Sequence, residues 1–448
     1  MLISLTVSNF GPFRDQTEFW MIPFPKLAQH KERLVPLRRY RSKVLSCAAL
    51  FGPNASGKSA FVSALAFLRS LVLEGSRQPG RTGRIPFGLQ KQSADKPTRF
   101  ALSCLAGGTL YDYECELSDL AVASESLRRI LTKTEEIVFQ RNAQTFTGKL
   151  FADETARNIA YSTGADTLLL KSLLAEGVAQ AAPLGAWFRS LKFLSAEHSL
   201  LPKRVSAGQS ALAEALDTLA TGISGFQEQT AYLDGLPRQI REELIGLLYG
   251  APGNTYEVTL TDGSRLRARL EAGSHRIEVQ KILPTHHCSD GAKVMEAEHE
   301  SYGVKRLIRL LPQMSALISN PASGILIVDD LDLGLHPLLT KKILTDFLQA
   351  RDGTHMTQLI FTTRSTELLD QNLFRRDELW FTERTEEGAC QLRPLTSFVS
   401  ESGKYIRFDK IIRRDYLKGL FGAVPKMGQN NIFAAAQSPK SSSSKSSS

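Results

Sequence analysis

Leu50 to Phe61 reads LFGPNASGKSAF, and the order glycine, four residues, glycine, lysine, serine from Gly52 to Ser59 decides how the rest of the chain is read. Glycines at both ends let the backbone curl so that successive N–H groups turn inward toward phosphate oxygens, and the helix that follows adds its positive N-terminal end. Gly52, Pro53, Asn54, Ala55, Ser56, Gly57, Lys58 and Ser59 are therefore the candidate nucleotide-binding residues. Lys58 is placed to reach the β- and γ-phosphates, and Ser59 to offer a hydroxyl to Mg²⁺. The flanks agree. VLSCAALF before the loop is the short apolar run of a fully buried parallel strand, and AFVSALAFLRSLVLE after Ser59 carries apolar residues at helical spacing.

A loop of this kind needs a carboxylate for the metal. One is supplied at GILIVDDLDLGLHP, Gly324 to Pro337, where Ile325 to Val328 form a buried strand with Asp329 and Asp330 at its C-terminal end. That end is where ligands sit in parallel α/β sheets. Asp329 reads as the Mg²⁺-associated carboxylate, and Asp330 as the group that orients or deprotonates an attacking water. His336, before Pro337, reads as a helix cap rather than a catalytic group.

Outward from these motifs, alternation in LISLTVS predicts a half-buried strand, with TEFWMI as its return. Arg81 to Arg141 is β-rich, with a hairpin closed at Gly107-Gly108. Helical patterns run from Asp166 to Phe193 and from Ala211 to Tyr249, and alternation returns around Asp262-Gly263 and Gly273-Ser274. QSPKSSSSKSSS at the C-terminus has no apolar residues to bury. The expected fold class is α/β: a P-loop NTPase core from residues 1–75 and 295–425, a β-rich lobe at 76–165, a helical and β insertion at 166–294, and a tail at 426–448, disordered from about 437.

The chain has 448 residues, 42% hydrophobic and 23% charged, with a formal charge of +9. The excess of basic groups, part of it in Lys26 to Lys43, leaves a polyanionic partner such as nucleic acid open. No apolar run is long enough for a membrane span, and MLISLTVSNF lacks the pattern of a secretory leader, so a cytoplasmic protein is expected. Five scattered cysteines without a CxxC pair fit a reducing compartment. His286, His287 and Cys288 stand together, but neighbours in a strand point to opposite faces, and a metal site is not expected there.

NFGPF near the start, the glycine-rich loop and ILIVDDLDLGLHP together resemble the ABC-type ATPases of the SMC and RecF kind. EHESYGVKRLIRLLP, QLIFTTRSTELLD, LFRRDELWFTER and IIRRDYLKGLFGAVP resemble more specifically the ATPases of bacterial abortive-infection systems, the AbiL/RloA type, which include the ATPase subunit of the PARIS system. The resemblance implies ATP and Mg²⁺ shared between two subunits, with the loop of one facing a serine-glycine signature of the other. The matching residues are Ser301 and Gly303, which open a helix with apolar residues at Val304, Leu307, Ile308, Leu311, Met314 and Leu317, while Asp332 matches the loop that crosses such an interface. It further implies a homo-oligomer built from dimers and a separate effector, such as a TOPRIM-type nuclease, with a phage protein as trigger. The alternative is a RecF/SMC-like repair ATPase that grips DNA.

Two positions depart from that pattern. Asp330 stands where glutamate is usual, and Arg364 where histidine is usual. A carboxylate one methylene shorter misplaces water, and an error of about 1 Å costs roughly 100-fold in rate. Arginine cannot act as a neutral acceptor but can hold a phosphate oxygen as a fixed cation. Slow hydrolysis is therefore expected, with Asp330 and Arg364 as the catalytic pair.

Overall fold

The strands Leu191–Leu194, Gly324–Val328, Thr357–Thr363, Cys47–Phe51 and Leu379–Arg384 lie side by side in that order, all parallel, and Cys390–Pro394 closes the edge antiparallel. This is a computed structural model, and it describes residues 1–195, 200–204, 210–260, 262–271, 276–320, 322, 324–398 and 412–425. The expected tail, 426–448, lies outside the described residues. CAALF, GILIV and TQLIFTT are buried along nearly their whole length because both faces of the sheet are covered. Ala48, Leu50, Ile325, Ile327 and Ile360 pack with Phe61, Leu65 and Leu68 of the helix Lys58–Leu73. Their neighbours in sequence, Cys47, Ala49, Phe51, Leu326, Val328, Leu359 and Phe361, pack with the helices Tyr302–Ser319 and Pro337–Gln349.

A second, seven-stranded sheet is antiparallel, in the order Thr145–Thr147, Glu135–Asn142, Val122–Ile130, Thr109–Leu117, Thr98–Ala106, Leu2–Ser8, Thr17–Trp20. Its hairpin turns at Gly107-Gly108, between the pair Ala106 and Thr109. The two N-terminal strands thus join the β-rich segment by pairing, Leu2–Ser8 lying against Thr98–Ala106. Alternation shows which face of a strand is buried but not which strand it meets.

Two buried polar residues tie the layers together. Gln358, inside the central sheet, donates to the carbonyls of Leu2 and Leu45, both at 3.0 Å, and accepts from Leu2 N at 2.6 Å. It thereby pins the first strand of one sheet to the other. Glu125, in Val122–Ile130, accepts from Tyr113 Oη at 2.9 Å and from the backbone N–H of Leu169 at 2.6 Å and of Leu170 at 2.9 Å. Its carboxylate covers the free N-terminus of the helix Leu169–Ala175, whose own N-cap residue, Leu168, has no side chain to do so.

A third sheet, Leu200–Arg204, Thr255–Thr259, Arg265–Leu270, Ile277–Cys288 and Ile223–Thr230, packs the helix Arg238–Gly250 over a cluster of Leu244, Leu248, Val258 and Ala268. Here the helical expectation is corrected twice. Ile223–Thr230 is a strand within Ala211 to Tyr249, and Leu191–Leu194 is the edge strand of the central sheet at the end of Asp166 to Phe193. In the second case WFRSLKFL passes from the helix Ala182–Ser190 into the strand without glycine or proline, and a short apolar run fits either period. Among the described residues no helix is long and apolar enough to cross a membrane.

At the end of the central sheet away from the glycine-rich loop, Arg375 forks onto Asp377, at 2.9 and 2.7 Å, and its backbone N–H donates to Glu378. Burial pushes the Glu378 carboxyl up from 4.5 to about 7, the nearby Arg33 charge pulling the other way. Folding therefore favours the protonated acid. The stability this adds is complete below pH 4.5 and is lost as pH rises toward 7, because the unfolded chain has already released the proton. Glu378→Gln should flatten that decline. Between pH 5 and 8 the wild type should lose on the order of 2 kcal/mol relative to the variant in denaturant titrations; parallel curves would refute it.

Candidate nucleotide-binding site

The chain leaves the buried strand Cys47–Phe51 at Gly52, turns through Pro53 to Ser56, and enters the helix Lys58–Leu73 at its N-cap, Gly57. Gly57 has φ +101°, and an added Cβ would stand 2.8 Å from Cys390 Cβ, so both backbone and space demand glycine there. Ser56, buried, shares a 2.5 Å hydrogen bond with Thr382 Oγ1, which also donates to Phe51 O at 3.2 Å. The loop is thus braced from beneath by the adjacent strand while Asn54, Ala55 and Ser59 remain exposed.

Lys58 is 6% exposed, yet its ammonium bonds two carbonyls, Gly52 O at 2.7 Å and Pro53 O at 2.8 Å. Among the described residues no carboxylate lies within 4.0 Å of it. Burial pulls its pKa down, with Asp330 opposing this and Arg364 adding to it. A cation in this position has one N–H to spare and, among the described residues, no carboxylate in contact, and a polyphosphate would supply both needs.

The two aspartates follow the strand Gly324–Val328. Asp329 Oδ1 accepts from Thr362 Oγ1 at 2.6 Å, and the same hydroxyl oxygen accepts from Asp330 N at 2.7 Å. Thr362, in the neighbouring strand Thr357–Thr363, so fixes one carboxylate by its proton and the other residue's backbone by its lone pair. Asp330 has φ +45°, unusual for a residue other than glycine. Arg364, just past the end of Thr357–Thr363, holds both Asp330 oxygens, Nη2 to Oδ2 at 2.6 Å and Nε to Oδ1 at 3.3 Å, while its Nη1 donates to Asn54 Oδ1 at 3.1 Å. Its pKa is raised by that hydrogen bonding.

Ser301 is the N-cap of Tyr302–Ser319, its Oγ accepting from Val304 N at 3.3 Å, and Gly303 lies so close to Gly334 that an added Cβ would come within 2.6 Å of the Gly334 carbonyl. Among the described residues no hydrogen bond joins Ser301 or Gly303 to Gly52–Ser59 of the same chain. Asp332 opens the same turn, with Oδ1 buried and, among the described residues, lacking a hydrogen-bond partner. One turn into the helix, Arg306, 2% exposed, donates from Nη2 to the carbonyls of Asp329 at 2.7 Å and Asp330 at 3.1 Å. His336 caps Pro337–Gln349, its Nδ1 accepting from Leu338 N at 3.2 Å.

One end of the sheet thus gathers the loop, Asp329, Asp330 and Arg364, while Gly303, close to Ser301 in sequence, packs against Gly334. Sequence reasoning missed Thr362, Thr382 and Arg306. An arginine among the apolar positions of Tyr302–Ser319 was the one available signal.

This architecture, a parallel sheet whose glycine-rich loop leads into a helix beside strand-end aspartates, is that of a P-loop NTPase. Residues 47–166 and 208–370 match the family model described as "AAA domain, putative AbiEii toxin, Type IV TA system", and the chain belongs to that family. No curated protein matches the sequence. Among solved structures it is similar to one titled as an SMC head bound to the C-winged helix domain of ScpA (12% identity, 88% of this chain and 96% of that one, TM-score 0.38). It is also similar to the SMC head domain from Thermotoga maritima (13%, 88% and 98%, 0.32). A third is an SMC head from Pyrococcus furiosus bound to the C-terminal domain of ScpA (12%, 88% and 95%, 0.33). At these scores the likeness adds nothing to the fold described above.

Proposed function

We propose that the chain is a cytoplasmic, ATP-binding and slowly hydrolysing ABC-type ATPase that acts as a sensor in anti-phage defence and controls a separate effector. The observation that carries the nucleotide half is the buried ammonium of Lys58, which among the described residues touches no carboxylate and feels the charges of Asp330 and Asp329 at longer range. Ser59 and Asp329 are the residues that would hold Mg²⁺, which, bound with ATP, draws charge from the phosphates. Asp330 orients the attacking water, and its short side chain, already spent on Arg364, supports slow turnover. Ser301 and Gly303 are exposed or partly exposed at a helix N-terminus away from their own loop, which supports a γ-phosphate bridging to a second copy. The family's description, with its toxin and toxin–antitoxin terms, supports the effector half, of which a TOPRIM-type nuclease in the AbiL/RloA or PARIS manner is one form.

The test is assembly. With Mg²⁺ and ATP the mass in solution should double, and Ser301→Arg should still bind ATP while remaining a monomer. A mass unmoved by ATP in the wild type would overturn the shared-site reading. Loss of plaque protection on deleting either this gene or its neighbouring effector gene would test the defence role.

A further inference from the structure

Arg364 has every arm of its fork committed: two to the Asp330 carboxylate and one to Asn54 in the phosphate loop. Both carboxylate oxygens that a water would bond are therefore covered by a cation. Of the two partners, Asp330 is the fixed one. Its N–H is held by Thr362, its carbonyl by Arg306, and its backbone lies in the left-handed region. Arg364 is a long side chain at a strand end, 44% exposed. A half-exposed ion pair of this kind is weak, whereas a terminal phosphate carries more charge than a carboxylate and matches the same fork in bidentate fashion.

Resting on the ATP reading above, we propose that Arg364 is a γ-phosphate-operated clamp on Asp330: without triphosphate it masks the carboxylate, and a γ-phosphate draws it away, freeing Asp330 to hold water while Arg364 holds the phosphate. ADP, lacking the third phosphate, leaves the clamp shut. The residue that replaces the usual histidine thus makes the base available only when there is something to hydrolyse. Asn54 ties the clamped state to the loop, so the release is felt where the nucleotide enters.

The proposal is tested by calorimetric titration of the full chain with Mg-ADP and with the Mg complex of a non-hydrolysable ATP analogue, comparing wild type, Arg364→Ala and Asp330→Asn. Arg364→Ala should lose about 10-fold or more in triphosphate affinity with ADP affinity unchanged. Asp330→Asn, which removes the competing charge, should bind the triphosphate several-fold more tightly than wild type and ADP no differently. Equal loss of both nucleotides in Arg364→Ala would show a merely structural residue and overturn the clamp, as would an Asp330→Asn variant whose triphosphate affinity is unchanged. A wild type that binds neither nucleotide sinks the ATP reading and the clamp together; one that binds both, with Arg364→Ala indistinguishable from it, sinks the clamp alone.

Discussion

Lys58→Ala should weaken ATP binding about 100-fold or more while leaving the unliganded protein folded. A charge-assisted bond to phosphate inside a low-dielectric loop contributes up to about 3 kcal/mol, and each 1.4 kcal/mol is roughly a factor of ten. The ammonium bonds two loop carbonyls and, among the described residues, touches no carboxylate, so its removal relieves a buried charge even as it costs those two bonds. The two effects on the empty protein oppose each other, and its melting temperature should shift little. Added Mg-ATP should raise the melting temperature of the wild type and not that of the variant. A variant stabilised by ATP as fully as the wild type would remove Lys58 from the phosphate site.

The largest effect on stability is expected far from the loop, at Glu125→Ala. Burial raises the pKa of this carboxyl, and its three donors and, last, the Arg141 charge oppose that rise. Truncation would leave the Tyr113 hydroxyl and two backbone N–H groups of the helix Leu169–Ala175 without their acceptor, and would remove one of the acidic charges near Arg141. Removing one partner from such a buried set costs about 3–5 kcal/mol, a large part of the roughly 5–15 kcal/mol that holds a domain folded. Glu125→Gln keeps an acceptor for one or two of the donors and should cost less, about 1–2 kcal/mol. Denaturant midpoints of the three proteins should fall in the order wild type, Gln, Ala. An alanine variant within 1 kcal/mol of wild type would mean water replaces the carboxylate.

The glycine-rich loop, the strand ending in Asp329 and the caps at Ser301 and His336 could be read from sequence because each depends on residues a few positions apart. A cap is a side chain and a backbone group two or three residues on. What stayed hidden depends on partners distant in sequence. Thr362 lies in a fully buried strand, and nothing local announces that its hydroxyl will meet the neighbouring strand's aspartates. Gln358 and Glu125 look like ordinary polar positions until their strands are paired. Leu191–Leu194 was masked by the helix it follows, since four residues cannot establish a period. The departures at Asp330 and Arg364 were visible as residue types, but that the two hold each other was not.

Arg306 joins a helix to the end of a strand. Its guanidinium welds the start of the helix Tyr302–Ser319 to the carbonyls of both aspartates, so that region is a single stiff lever with Ser301 at one tip and Asp330 at the other. In a pair of copies arranged as proposed above, each lever would have its tip against the neighbour's triphosphate and its fulcrum at its own. Neither half could fire without jolting the other, and the two turnovers would have to alternate or coincide.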